Sequence, residues 1–294
     1  MPAERPETRL VPYARLPRKY RDRHIVHSSV DAFGRGHWLL TEHPPKDLGS
    51  DPYDALVVTV EDRVCHETYL HAVLPWCPHI EALPDGGFVL ATPRADKDDG
   101  QQVQVFDALG RATGTFRVGD GFQHLLADRA GDLWVGYFDE GVYGDDALSA
   151  PGLRRWSITG EPLWSYSPVP DAGWIDDCYT LNVTGRTAWM CPYSRFPLIE
   201  VDDAQVVRVR QNPVRGASGL AVLGERAVFF SGYGDDRNRL VDCRLTETSV
   251  EPVAESRLVR PDGGRLGRPR IVSRGSRIHV QVKPFTEWFV FDLA

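Results

Sequence analysis

The sequence predicts an all-β chain made of six copies of one four-stranded unit. Three observations carry that reading. Apolar residues come in short runs rich in β-branched, aromatic and leucine side chains, as at 55–60, 88–92, 133–137, 227–231 and 278–282, bounded by Gly, Asp, Asn and Pro. No long stretch repeats apolar residues at the helical spacing i, i+3, i+4, i+7. A strand–turn–strand pattern recurs around Gly34, Gly86, Gly131, Gly185, Gly224 and Gly275, which stand 39 to 54 residues apart. That period is close to one four-stranded blade, so the predicted architecture is a six-bladed β-propeller.

In chain order, the repeated hairpin covers 26–40, 79–91, 124–136, 179–190, 219–230 and 270–280. Its glycine is expected in the turn, because a two-residue hairpin needs positive φ. A second hairpin follows each copy, most clearly at 103–118 and 153–166. Two hairpins make a four-stranded antiparallel sheet, and such sheets must stack in a ring to bury both faces. The last unit, 267–294, holds only three strands, so residues 9–16 are expected to supply the fourth and close the ring. The chain 1–294 then reads as one domain, with 1–23 as an opening segment that includes the closing strand. A seventh, degenerate blade or an open end is the alternative.

The stretch Asp128-Arg129-Ala130-Gly131-Asp132-Leu133-Trp134-Val135-Gly136 resembles the repeat of bacterial β-propellers, among them sensor-type and streptogramin lyase-like ones. The resemblance rests on this one blade and implies the fold. The lyase-like branch would further imply elimination chemistry from a histidine base. No catalytic residue is carried over from that branch, because this chain lacks its regular repeat.

Composition narrows the function classes. Lys and Arg total 34 against 41 Asp and Glu, a net charge of -7, which excludes a general nucleic-acid footprint. The local cluster Arg15, Arg18, Lys19, Arg21 and Arg23 reads as a solvated segment. No run of 18 apolar residues spans a membrane, and the polar start has no signal-peptide core. The five cysteines are odd in number and lack zinc-site spacing, so they read as reduced thiols of a soluble, cytoplasmic protein.

Long polar loops on a rigid scaffold are where function is expected. They include 138–152, 168–179, 192–197, 212–218, 232–239 and 283–287. Three constellations stand out. His27, His79 and His124 each precede a turn glycine by seven residues, so they would start the inner strands of three successive blades. Converging imidazoles can hold a divalent metal ion or supply a general base. Alignment on Trp38 and Trp134 instead turns His27 away, while His79 and His124 keep their match; the alternative for all three is hydrogen bonding to structural water or backbone in the channel. The acids Asp139, Glu140 and Asp177, with Tyr179 beside them, could split acid and base roles or orient a ligand. Solvated loop acids and turn caps are the competing reading. Finally, Arg94, Tyr193, Arg195, Asp235 and Arg270 could bind a polar ligand, the arginines clamping a carboxylate or phosphate. Pairing of those arginines with nearby acids is the alternative.

The function expected is binding of a small polar molecule in the central funnel, with acid–base or metal-assisted chemistry of lyase or hydrolase type. The rival is a non-catalytic scaffold that docks a protein partner on the acidic and aromatic loops. Neither reading involves nucleic acid or membrane.

Overall fold

The computed structural model describes residues 5–44, 47, 51–75, 77–95 and 100–294. The chain divides into two compact units, Ala14–Tyr166, and Ser167–Ala294 together with the N-terminal stretch through Tyr13. Two short strands open it, β1 (Glu7–Arg9) and β2 (Val11–Arg15).

In the unit Ala14–Tyr166, three sheets follow one another, each with four antiparallel strands in chain order. The first is β3 (His24–Val30), β4 (Gly36–Thr41), β5 (Tyr53–Glu61) and β6 (Val64–Val73). The second is β7 (His79–Ala82), β8 (Phe88–Ala91), β9 (Val103–Phe106) and β10 (Ala112–Phe116). The third is β11 (Phe122–Ala127), β12 (Leu133–Tyr137), β13 (Leu153–Trp156) and β14 (Pro162–Ser165).

The unit Ser167–Ala294 repeats the plan. Its first four strands are β15 (Asp177–Thr184), β16 (Thr187–Tyr193), β17 (Leu198–Asp202) and β18 (Gln205–Arg210). Next come β19 (Gly219–Leu223), β20 (Arg226–Phe230), β21 (Arg239–Leu245) and β22 (Val250–Val259), with β1 added in parallel to β22. The last three are β23 (Arg270–Arg274), β24 (Arg277–Gln281) and β25 (Glu287–Asp292). The strand expected from residues 9–16 forms over Val11–Arg15 and stands beside β25.

The second strand of a sheet is buried on both faces, which is why its sequence is a run rather than an alternation. All of Phe88–Ala91 and all of Leu133–Tyr137 are buried. The fourth strand of the second sheet, Ala112–Phe116, is an exposed edge, and its sequence is poor in large aliphatic residues. Apolar clusters fill the space between neighbouring sheets. Leu39, Val57, Ile80, Leu90 and Phe106 form one, and Leu198, Leu220, Phe229 and Val241 another.

All six turn glycines have positive φ, but the turns are of two kinds. Gly185, Gly224 and Gly275 sit in two-residue hairpins between adjacent strands. In the unit Ala14–Tyr166 the turn is longer. Gly34 donates its N–H to the Asp31 carbonyl, and Gly131 to that of Asp128, both at 3.1 Å. The aspartate side chain caps this longer turn. Asp31 Oδ1 accepts from the N–H groups of Phe33 and Arg35, and Asp128 Oδ1 from those of Ala130 and Asp132. The Asp128–Gly136 segment is thus fold-forming turn chemistry.

Buried polar side chains also tie inner strands together. Asn182 on β15 donates to the Leu220 carbonyl at 2.7 Å and the Gly275 carbonyl at 2.8 Å, and accepts from Gly275 N–H. It sits at the single parallel pair joining β15 to β23, Asn182 opposite Ser273.

Candidate functional site

The unit Ala14–Tyr166 holds the histidines and one acidic group. His27 and His79 face each other ring to ring, centroids 4.6 Å apart, and His79 meets Phe122 edge-on at 5.1 Å. Ile80 donates its N–H to His27 Nδ1 at 3.4 Å. The register β3 actually adopts, with His27 opposite Leu39, therefore turns His27 toward the next sheet and not away from it. His124 lies two residues past Phe122 on β11, opposite Gly136, and is half-buried. Among the described residues, no three His, Cys, Asp or Glu side chains are grouped so as to hold a metal ion. His27 and Phe122 are among the side chains packed on His79.

Arg94 and Glu140, expected as a ligand clamp and an acid, pair with each other. Arg94 Nε also reaches Asp120 at 3.1 Å, and its guanidinium lies over the Phe138 ring. The Glu140 hydrogen bond holds the Arg94 pKa above its ordinary value. Asp139 is exposed at the start of a four-residue helix, α1 (Asp139–Val142), where its Oδ1 accepts the Glu140 N–H. Asp139 and Glu140 thus make a local backbone bond and an ion pair on an exposed loop.

The unit Ser167–Ala294 gathers a different set. Asp177 opens β15 opposite Tyr193, the last residue of β16. Tyr179 and Tyr193 stack at 5.9 Å with an interplanar angle of 23°. Phe196 meets Tyr179 edge-on at 5.3 Å, and Tyr233 closes the group at 6.2 Å from Tyr179. Arg215 lies over the Phe196 ring and donates to the Arg195 carbonyl. Arg195 donates one N–H to the Ala172 carbonyl at 2.9 Å. Beside this group is a cavity of about 230 Å³, lined among others by Gly173, Trp174, Asp176, Tyr193 and Arg195. Trp174 is 73% exposed and Tyr193 46%.

Phe196 (φ 58°), Ser231 (φ 78°) and Phe285 (φ 66°) follow β16, β20 and β24 with left-handed backbone. Non-glycine residues there cost stability and persist only where surrounding contacts enforce them, most often at functional sites. Partial desolvation first, and then a hydrogen bond with Tyr179, hold the Tyr233 phenol above its ordinary pKa.

The remaining expected residues sit elsewhere. Asp235 lies in the 3-10 turn Gly234–Asn238 and lines a second cavity, rich in arginine. Arg270, at the start of β23, packs on the Phe285 ring at 4.1 Å, and burial holds its pKa below the ordinary arginine value. Sequence reasoning missed Trp174 and Phe196. Both lie in loops it had marked, at 168–179 and 192–197, and an aromatic residue inside a polar loop was the available signal.

Comparisons with known proteins bear on the fold. The model of the YxzG family matches residues 168–284. No curated protein matches the chain. Among solved structures, Hsv2 of Kluyveromyces lactis is similar at a TM-score of 0.53 and 11% identity, over 92% of this chain and 75% of that one. The Cps50 (Swd1) β-propeller domain of Myceliophteria thermophila is similar at 0.51 and 14% identity, over 92% of this chain and 84% of that one. Likeness at such identity shows fold and not activity. The fold is that of β-propellers.

Proposed function

We propose that this propeller protein binds a small polar molecule at the cavity formed by Trp174, Asp176, Tyr193 and Arg195, with Asp177 and Tyr179 behind it as orienting groups. The convergence of two exposed aromatic rings, a guanidinium and a carboxylate around one 230 Å³ space carries this reading. Aromatic faces bury the flat side of a ring-shaped ligand. A guanidinium has five N–H donors, and Arg195 places one on Ala172, so its fork can meet a carboxylate or a hydroxyl pair. The cavity suits a single ring, so hexoses and hexuronic acids are the first class to test. Binding is the activity this geometry supports.

The test is saturation-transfer NMR with a panel of hexoses, hexuronic acids and amino acids, on the wild type and on Tyr193→Ala and Arg195→Gln. At least one hexuronic acid is expected to bind, and each variant to weaken it by roughly tenfold. A panel without binders, or binders indifferent to both substitutions, sinks the reading. Exposure of Trp174 favours a second one, docking of a protein partner on the same loops. In that case Trp174→Ala abolishes complex formation while the panel stays silent.

A further inference from the structure

A second cavity lies in the unit Ser167–Ala294, about 420 Å³ in volume, and its lining includes Arg5, Asp235, Arg237, Arg239, Arg257 and Arg265. We propose that it binds a phosphate-class oxyanion, a pyrophosphate or a phosphate monoester carried by a small molecule. This inference does not depend on the site of Tyr193 and Arg195.

The pocket is assembled from distant parts of the chain. Strand β1 pairs in parallel with β22, setting Glu7 opposite Arg257, and the Arg257 N–H donates to the Pro6 carbonyl at 2.8 Å. That pairing carries Arg5 to the pocket wall. The 3-10 turn Gly234–Asn238 supplies Asp235 and Arg237, and β21 starts with Arg239. Arg265 comes from the loop before β23.

Charge decides what the pocket accepts. Arg5 is paired with Asp236 at 2.7 Å and Glu255 at 3.1 Å, and Arg239 with the same two acids at 3.4 and 3.6 Å. Arg237, Arg257 and Arg265 have no ion-pair partner among the described residues. Five guanidinium groups thus face three carboxylates, in a chain whose net charge is -7. Like charges held in one concavity repel, and a bound anion removes that repulsion. Guanidinium forks match the oxygens of phosphate two at a time, which a single small halide ion cannot exploit.

Isothermal titration calorimetry of the full chain at low ionic strength tests the proposal. Inorganic pyrophosphate and glycerol phosphate distinguish a free from an esterified phosphate, and citrate is the carboxylate control. Saturable binding is expected for at least one phosphate probe, and weaker binding for citrate. Arg237→Gln and Arg265→Gln remove exposed side chains that hold no ion pair among the described residues, so the fold is retained, and each should weaken binding by roughly tenfold. Asp235→Asn removes a repulsive carboxylate and should tighten it. Tyr193→Ala should leave it unchanged. The proposal is overturned by heats that do not saturate with either phosphate probe, by both arginine variants binding like wild type, or by citrate binding as tightly as pyrophosphate.

Discussion

Ser29 on β3 donates its hydroxyl to the Glu81 carboxylate on β7 at 2.5 Å, in the interior of the unit Ala14–Tyr166. The other oxygen of Glu81 accepts the Ala127 N–H of β11 at 3.1 Å. One carboxylate, 2% exposed, therefore links the inner strands of three sheets. Removing it takes a hydrogen-bond partner from the buried Ser29 hydroxyl and from the Ala127 N–H. Glu81→Ala is expected to lower stability by about 2–4 kcal/mol, and Glu81→Gln by about half as much. Urea unfolding followed by circular dichroism measures both. A Glu81→Ala protein as stable as wild type would show that the link contributes nothing.

Asp31 makes stability depend on pH. Burial alone would raise its pKa, but the hydrogen bond and charge of His37 and the N–H and charge of Arg35 outweigh burial, leaving it well below the usual carboxylate range. A depressed folded-state pKa stabilises the protein fully above the unfolded value, about 3.9, and that stabilisation is lost as pH falls toward the folded value. Asp31→Asn should reduce stability at pH 6, and its further loss between pH 5 and pH 3 should be shallower than in wild type. Denaturant midpoints at those pH values check this. Parallel curves for the two proteins would refute it.

Two turn glycines should differ sharply in tolerance. A Cβ on Gly110 (φ +75°) would lie 1.9 Å from the Tyr69 carbonyl oxygen, whereas one on Gly224 (φ +57°) meets nothing within 4 Å. Gly224→Ala bears only the left-handed backbone cost, about 1–2 kcal/mol. Gly110→Ala adds a backbone collision and should cost about 3 kcal/mol or more. Equal thermal shifts in the two variants would contradict the close approach of the Tyr69 carbonyl to this turn.

Thiol reactivity should be selective. Cys77, Cys178, Cys191 and Cys243 are buried, and only Cys65 is half-exposed, 3.4 Å from the Tyr20 hydroxyl. Burial pushes the Cys178 and Cys191 thiols up and that of Cys243 up to about 12, so none of the three supplies thiolate at neutral pH. Ellman's reagent should titrate one thiol in the native protein and all five on unfolding. Rapid reaction of several native thiols would argue against these packed interiors.

Much of the fold was legible because its signals are local. A glycine at each first turn, apolar runs flanked by turn residues, and a last unit short of one strand together located the six hairpins and the strand at Val11–Arg15. Turn length was misjudged where an aspartate side chain stabilises a longer loop, at Asp31 and Asp128. The candidate sites were legible only as loops. Tyr179 and Tyr193 do meet, with Phe196 and Trp174 added by the fold. Arg94 and Glu140 meet too, but as partners that neutralise each other.

Strand periodicity and turn chemistry act over a few residues, so the sequence by itself determined an all-β chain of repeated hairpins. Which charge faces which is settled over much longer separations. Arg5 finds Asp236 across 231 positions and Arg94 finds Glu140 across 46. No local pattern encodes such meetings, because they depend on how sheets pack and which loops that packing brings together. The arginine-lined pocket, the aromatic cluster and the buried link at Glu81 were therefore decided by the tertiary structure alone.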